Sequence, residues 1–271
     1  MNIPKRVSER IVDGLKRMRP VIQAQRDRDV SEADTVTVVK DILADVLGFD
    51  KYAEITSEHS IRGTYCDLAV NLDGKCRLLL EVKAIGLELN DRHVKQAIDY
   101  AANQGVDWVV LTNGAEWVLY HVLFEKPVNK QEIARVHLLT ADLRKDADME
   151  RIYLLTREGL TKDVLSEYRD RQDATSRFML AAMVLNSDAV LGALRREVRR
   201  VSGMLVECDE IEKALREQVL KREAIEGDQA DAARRRFLRK TSASRKDDVA
   251  PETPVANKPS DTPAIAPSAA Q

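Results

Sequence analysis

Three charges stand where a strand interior would otherwise be apolar. Leu78, Leu79 and Leu80 lead into Glu81-Val82-Lys83, and Asp67 stands just ahead of the apolar run at 68–72. Side chains two apart on a strand share a face, so Glu81 and Lys83 point the same way. An Asp73-Gly74 turn is expected to join the two runs as a hairpin, which would bring Asp67 near Glu81. Burying carboxylates is costly unless a cation or hydrogen bonds compensate. Two carboxylates and a lysine converging at one sheet edge therefore point to a divalent-cation site. Taken alone, an E-x-K triplet reads as readily as a solvated edge strand, with Asp67 a strand-start residue. The apolar flanks, the acid at hairpin distance and the helix that follows weigh against that reading.

Those charges need elements to hold them. Residues 91–104 read as a helix with Asn90 or Asp91 as N-cap and Gly105 as its stop. Val94, Ala97, Ile98 and Ala101 form its apolar stripe, and His93, Gln96 and Tyr100 lie on an adjacent face. Residues 108–112, an Asn113-Gly114 turn and residues 117–122 read as a second hairpin. Upstream, residues 31–47 read as a helix with Ser31 as N-cap.

Asp67, Glu81-Val82-Lys83, the Gln96-Ala97-Ile98-Asp99-Tyr100-Ala101 helix and the Leu111-Thr112-Asn113-Gly114-Ala115-Glu116-Trp117 hairpin together resemble the PD-(D/E)XK nuclease superfamily. Within it they most resemble the N-terminal nuclease domain of type I restriction enzyme R subunits and small stand-alone proteins that share it. The resemblance covers roughly residues 30–142 and, more weakly, the helical region to about residue 225. It implies that Asp67 and Glu81 bind Mg²⁺ (or Mn²⁺), with the Val82 carbonyl completing the site. It also implies that Lys83 orients or activates the attacking water, and that Gln96 steadies the site or touches the substrate backbone. Glu32 matches an additional acid that many members supply from their first core helix. A carboxylate just after a Ser N-cap also favours the helix dipole on its own account. Cys66 stands where the superfamily's nominal motif has proline.

Composition narrows the classes. The chain has 271 residues and a net charge of -2, room for one full core and a smaller accessory region. Three cysteines without metal-ligand spacing imply reduced thiols, and four histidines show no zinc pattern. No apolar signal segment or membrane-spanning run is visible, so a cytoplasmic location and no membrane are expected. No G-x-x-x-x-G-K-[ST] loop is present, so any ATP-driven motor must come from partner chains.

Four parts are expected. Residues 1–30 read as a basic, polar helical segment, interrupted or kinked at Pro20. Residues 31–142 form the nuclease-like core, closed by a last strand at 136–139. Residues 143–241 are helical, with helices at 189–201 and 210–224. Residues 242–271, rich in Pro, Ala, Ser and Thr, should be disordered. Arginines cluster at Arg195, Arg196, Arg199 and Arg200, at Arg234-Arg235-Arg236 with Arg239 and Lys240, and among Lys5, Arg6, Arg10, Lys16, Arg17 and Arg19. They read either as phosphate contacts or as solvated helix faces paired with nearby glutamates.

The expected fold is α/β: a mixed central sheet flanked by helices, a restriction-endonuclease-like core, then a helical region and a loose tail. The leading expectation is a Mg²⁺-dependent endonuclease acting on DNA in a restriction or defence context, with partner subunits. The rival is a nuclease-fold protein that no longer cuts and serves as a DNA-binding scaffold in a larger complex. Oligomer formation stays open, since nothing in the sequence marks a dimer face.

Overall fold

The computed structural model describes residues 1–61, 64–124, 126–161 and 164–247. The chain divides into two compact units, Met1–Arg171 and Gln172–Gln271.

The first unit is built on a six-stranded sheet in chain order, β1 (Ile55–Ile61), β2 (Thr64–Leu72), β3 (Lys75–Val82), β4 (Trp108–Thr112), β5 (Glu116–Leu123) and β6 (Asn129–His137). Neighbours are antiparallel except β3 and β4, which run parallel. A parallel pair needs a crossover, and α3 (Asp91–Gln104) supplies it. The mixed sheet flanked by helices is the expected architecture. The Asp73-Gly74 turn has positive φ at both residues, 52° and 73°, as a tight primed hairpin turn requires.

Strand alternation splits the core into two layers. Leu68, Val70, Leu72, Leu78, Leu80 and Val82 pack with α1 (Lys5–Asp27), α2 (Glu32–Asp45) and α4 (Asp146–Leu154). Ala69, Leu79, Val109, Leu111, Val118 and Tyr120 pack with the buried face of α3.

Several boundaries differ from expectation. Helix α1 is amphipathic rather than polar, burying Val7, Ile11, Leu15, Met18 and Ile22 at helical spacing. It runs unbroken through Pro20, which lies on the exposed side, where water can satisfy the carbonyl the ring leaves unbonded. Its close approach to α2 explains Gly14: a Cβ there would lie 2.8 Å from the Asp45 carbonyl oxygen. Asp67 sits within β2 rather than at its start, and the last strand is β6, ending at His137, rather than 136–139. Two short helices, α5 (Arg157–Thr161) and α6 (Val164–Ala174), follow α4.

The second unit is helical: α7 (Arg177–Asn186), α8 (Asp188–Ser202), α9 (Cys208–Ala214), α10 (Arg222–Ile225) and α11 (Asp228–Asp247). Ser187 caps α8, its hydroxyl accepting the Val190 N–H, as the sequence suggests. The helix expected over 210–224 starts at Cys208 instead and loosens into a π-helical turn over Leu215–Val219. Leu220 is extended, which separates that turn from α10. Helix α11 reaches Asp247, past the boundary expected at residue 241. The rest of the expected tail, 248–271, lies outside the described residues.

Candidate active site

Strand β3 carries the site at its C-terminal end. The ladder pairing of β2 with β3 runs as far as Leu68 and Leu80. Beyond that point the Asp67 carboxylate takes over, accepting the Val82 N–H at 2.7 Å. On its other edge β3 stays tied to β4, where the Lys83 N–H donates to the Thr112 carbonyl at 2.8 Å. A residue's N–H and C=O point to the same lateral side of a strand, so the Val82 carbonyl also faces the Asp67 side.

Glu81 and Lys83 meet as strand alternation requires: Lys83 Nζ lies 2.7 Å from Glu81 Oε1. Glu32, the first residue of α2, approaches the same ammonium from across the chain, with Oε2 3.4 Å away. The Glu32 side chain is about half exposed while Glu81 is buried, so the cluster opens to solvent on the α2 side. Two carboxylates thus contact one ammonium, and the Asp67 carboxylate adds a third negative charge within electrostatic reach of it.

That imbalance shows in the titration of the group. Burial pushes the carboxyls of Asp67 and Glu81 above the usual carboxylate range, against the Val82 hydrogen bond in one case and Lys83 in the other. Burial works to lower Lys83, but its hydrogen bond to Glu81 and the charges of Glu81, Glu32 and Asp67 outweigh it and hold its pKa above the ordinary lysine value. Cys66 is buried beside the carboxylates, its Sγ 2.9 Å from the Leu80 carbonyl oxygen, and burial pushes its thiol far up. A neutral thiol packs there as a small apolar group.

The predicted residues are not all joined by contacts. Asp67, Glu81, Lys83 and Glu32 come together, with the Val82 backbone between the first two. Gln96 is exposed on α3, and no hydrogen bond among the described residues joins it to the charges. Tyr100, expected beside it on the adjacent face, instead turns inward and is buried with the α3 stripe. Among the described residues, no group of three or more His, Cys, Asp or Glu side chains is arranged to hold a metal ion.

The hairpin after α3 braces the site from behind. Asn113 Oδ1 accepts the N–H groups of Ala115 and Glu116 at 3.1 and 2.7 Å, while its amide donates to the Leu87 carbonyl at 2.9 Å. Leu87 lies in the loop that follows Lys83, so one buried side chain pins both the turn and that loop. Gly114 takes φ 82°, and Trp117 Nε1 donates to its carbonyl at 3.0 Å. This bracing role of Asn113 escapes a reading of the sequence, where Asn-Gly signals only a turn.

Residues 38–136 match the family model of the type I restriction enzyme R protein N terminus. The match spans β1 to β6 and takes in Asp67, Glu81, Val82, Lys83 and Gln96, while Glu32 precedes it. The resemblance drawn from the sequence motifs is borne out over this segment, and it supports a restriction-related, nuclease-like role. The matched segment is less than half of the chain, and the second unit lies wholly outside it. No curated protein and no solved structure matches the chain.

The basic clusters separate by role. Arg10 is a clamp: it holds Glu158 through two hydrogen bonds of 2.8 and 2.7 Å and donates to the Val46 and Leu47 carbonyls. Arg19 donates to the Leu138 and Ala141 carbonyls. Both are spent on joining α1 to the sheet unit, which removes them from the phosphate-binding reading. Arg236 pairs with Asp173 at 2.6 Å within the second unit.

Proposed function

We propose that the sheet unit is a Mg²⁺-dependent nuclease domain that hydrolyses DNA phosphodiester bonds, acting in the cytoplasm with partner subunits of a restriction or defence system. The observation that carries this reading is the meeting of Asp67, Glu81, Lys83 and Glu32 at the end of β3, inside or beside the matched segment. Three carboxylates against one ammonium leave a negative surplus, which favours a divalent cation. The donors are all oxygen, which suits Mg²⁺, with Mn²⁺ the alternative ion. Asp67, Glu81 and the Val82 carbonyl would hold it. When bound, such a cation supplies Lewis-acid stabilisation of phosphoryl charge and a more acidic water.

The chain's own residues do the rest. Glu81 and Glu32 hold the Lys83 ammonium in place and keep it protonated. In that state Lys83 acts as a donor: it positions the attacking water and offsets charge developing on the phosphoryl oxygens. Glu32, nearer solvent, is placed to accept a proton from that water or to steady Lys83. Gln96, exposed on α3, is assigned a contact with the DNA backbone.

The test is cleavage of supercoiled and linear DNA with Mg²⁺ or Mn²⁺ by the wild type, Glu81→Ala and Lys83→Ala. Each variant is expected to lose at least about 100-fold in rate, the size of a single lost transition-state donor. Wild-type-like cutting by either variant sinks the assignment. The helical second unit, which lies outside the matched segment, motivates a second reading, a DNA-binding scaffold that does not cut. That reading expects no cutting by any form, with DNA or partner binding that survives both metal removal and Glu81→Ala.

A further inference from the structure

Outside the sheet unit, large apolar side chains gather on one exposed turn. Val201, Met204 and Leu205 are 72%, 68% and 65% exposed. They form the tip of a helical hairpin: Gly203, with φ 72°, ends α8, and α9 returns so that Arg195 and Glu207 pair at 3.5 Å. Single exposed aliphatics are ordinary, but three within five consecutive residues make a contiguous patch.

Charge is distributed antisymmetrically about that patch. Arg196 and Arg199 stand exposed on the α8 arm, and Asp209 and Glu210 stand exposed on the α9 arm. None of these four has an ion-pair partner among the described residues. Their neighbours are engaged, Arg200 with Glu197 and Arg195 with Glu207. An anionic surface would attract the first arm and repel the second. A surface with the same two arms in reverse order would satisfy both, and a two-fold contact between identical tips provides that order.

We propose that the α8–α9 tip is a docking surface for a second copy of this chain. Val201, Met204 and Leu205 form its apolar centre, and Arg196 and Arg199 of each copy face Asp209 and Glu210 of the other. A contact centred on three side chains gives a concentration-dependent dimer rather than an obligate one. It stands independently of the nuclease reading.

Sedimentation velocity of the full chain over a concentration series tests it. The wild type is expected to shift from its monomer mass of 30.5 kDa toward twice that value as concentration rises. Met204→Asp with Leu205→Asp should stay at monomer mass while keeping the wild-type circular dichroism spectrum, since both residues are exposed. Two charge-reversed forms separate a second copy from any other partner. Arg196→Glu/Arg199→Glu and Asp209→Lys/Glu210→Lys should each remain monomeric alone and form a heterodimer when mixed. A wild type that holds monomer mass at every concentration overturns the proposal. So does self-association that survives in the Met204→Asp/Leu205→Asp form, or charge-reversed forms that fail to pair.

Discussion

The Asp67 carboxylate accepts the Val82 N–H at 2.7 Å, replacing a backbone acceptor just where the β2–β3 pairing gives out. One carboxylate oxygen is thereby fixed to the strand that carries Glu81. The same contact orients the backbone and side-chain donors at once, because the Val82 carbonyl lies on the side of its own N–H.

Asp67→Asn and Asp67→Ala should therefore differ in stability. Asparagine keeps an acceptor for the Val82 N–H, whereas alanine leaves a buried donor unpaired, at a cost of about 1–3 kcal/mol. Urea unfolding should place Ala below Asn by that margin, while both lose DNA cleavage. Equal stability of the two would mean that the hydrogen bond does not hold β2 to β3.

The raised carboxyl of Glu81 sets a pH dependence with a defined sign. The folded protein keeps this proton to higher pH than the unfolded chain, whose value is near 4.5. Stability from this group is thus present at low pH and falls as pH rises from 4.5 through the folded value. Glu81→Gln removes that loss, so calorimetry should find its Tm above wild type at pH 8 and the gap closing toward pH 4. A variant less stable than wild type at pH 8 would show that the Lys83 ion pair outweighs the burial of the charge.

A divalent cation bound by Asp67 and Glu81 should stabilise the folded state by mass action. At ten times its Kd the gain is about 1.4 kcal/mol. Mg²⁺ or Mn²⁺ is expected to raise the Tm of the wild type and to leave that of Glu81→Ala unmoved. This readout needs no catalysis, so it distinguishes a site that binds metal without cutting from one that binds none.

Arg10 joins α1 to α5 and to the end of α2, and its removal strands a partly buried carboxylate and two carbonyls. Arg10→Ala should cost about 1–3 kcal/mol, the stranded carboxylate being partly reached by water. The hydrogen bonds from Arg10 hold the Glu158 carboxyl below its ordinary value of 4.5, so the pair's contribution is present above pH 4.5 and is lost as pH falls through the folded value. Acid unfolding curves should show that component in the wild type and lack it in Arg10→Ala.

The hairpins, the α3 helix with its Asn90 cap and Gly105 stop, and the facing of Glu81 with Lys83 were all legible in the sequence, because each rests on local rules of turn chemistry and periodicity. The β6 limits and the split of the helix after Cys208 were not. Residues 129–137 carry a polar half-exposed face that hides the strand from a reading by apolar runs. The extended Leu220 has no sequence marker such as Gly or Pro.

The basic N-terminal stretch left its two readings open for a related reason. Charge counts do not reveal which guanidinium is spent indoors, and Arg10 and Arg19 are committed to carbonyls and a glutamate more than thirty residues distant in sequence.

The sequence by itself determined which residue types could do chemistry here and the family that residues 38–136 match. It did so because the acids, the lysine and the turn signals sit at short, rule-bound spacings. The tertiary structure alone decided that Glu32 joins the cluster and that Gln96 is exposed on α3 with no hydrogen bond to it among the described residues. It also decided that Asp67 bonds across to Val82, that Asn113 ties two loops together, and that the α8–α9 tip is left uncovered. Those relationships depend on where separate elements pack, and packing is a property of the whole core that no local pattern encodes.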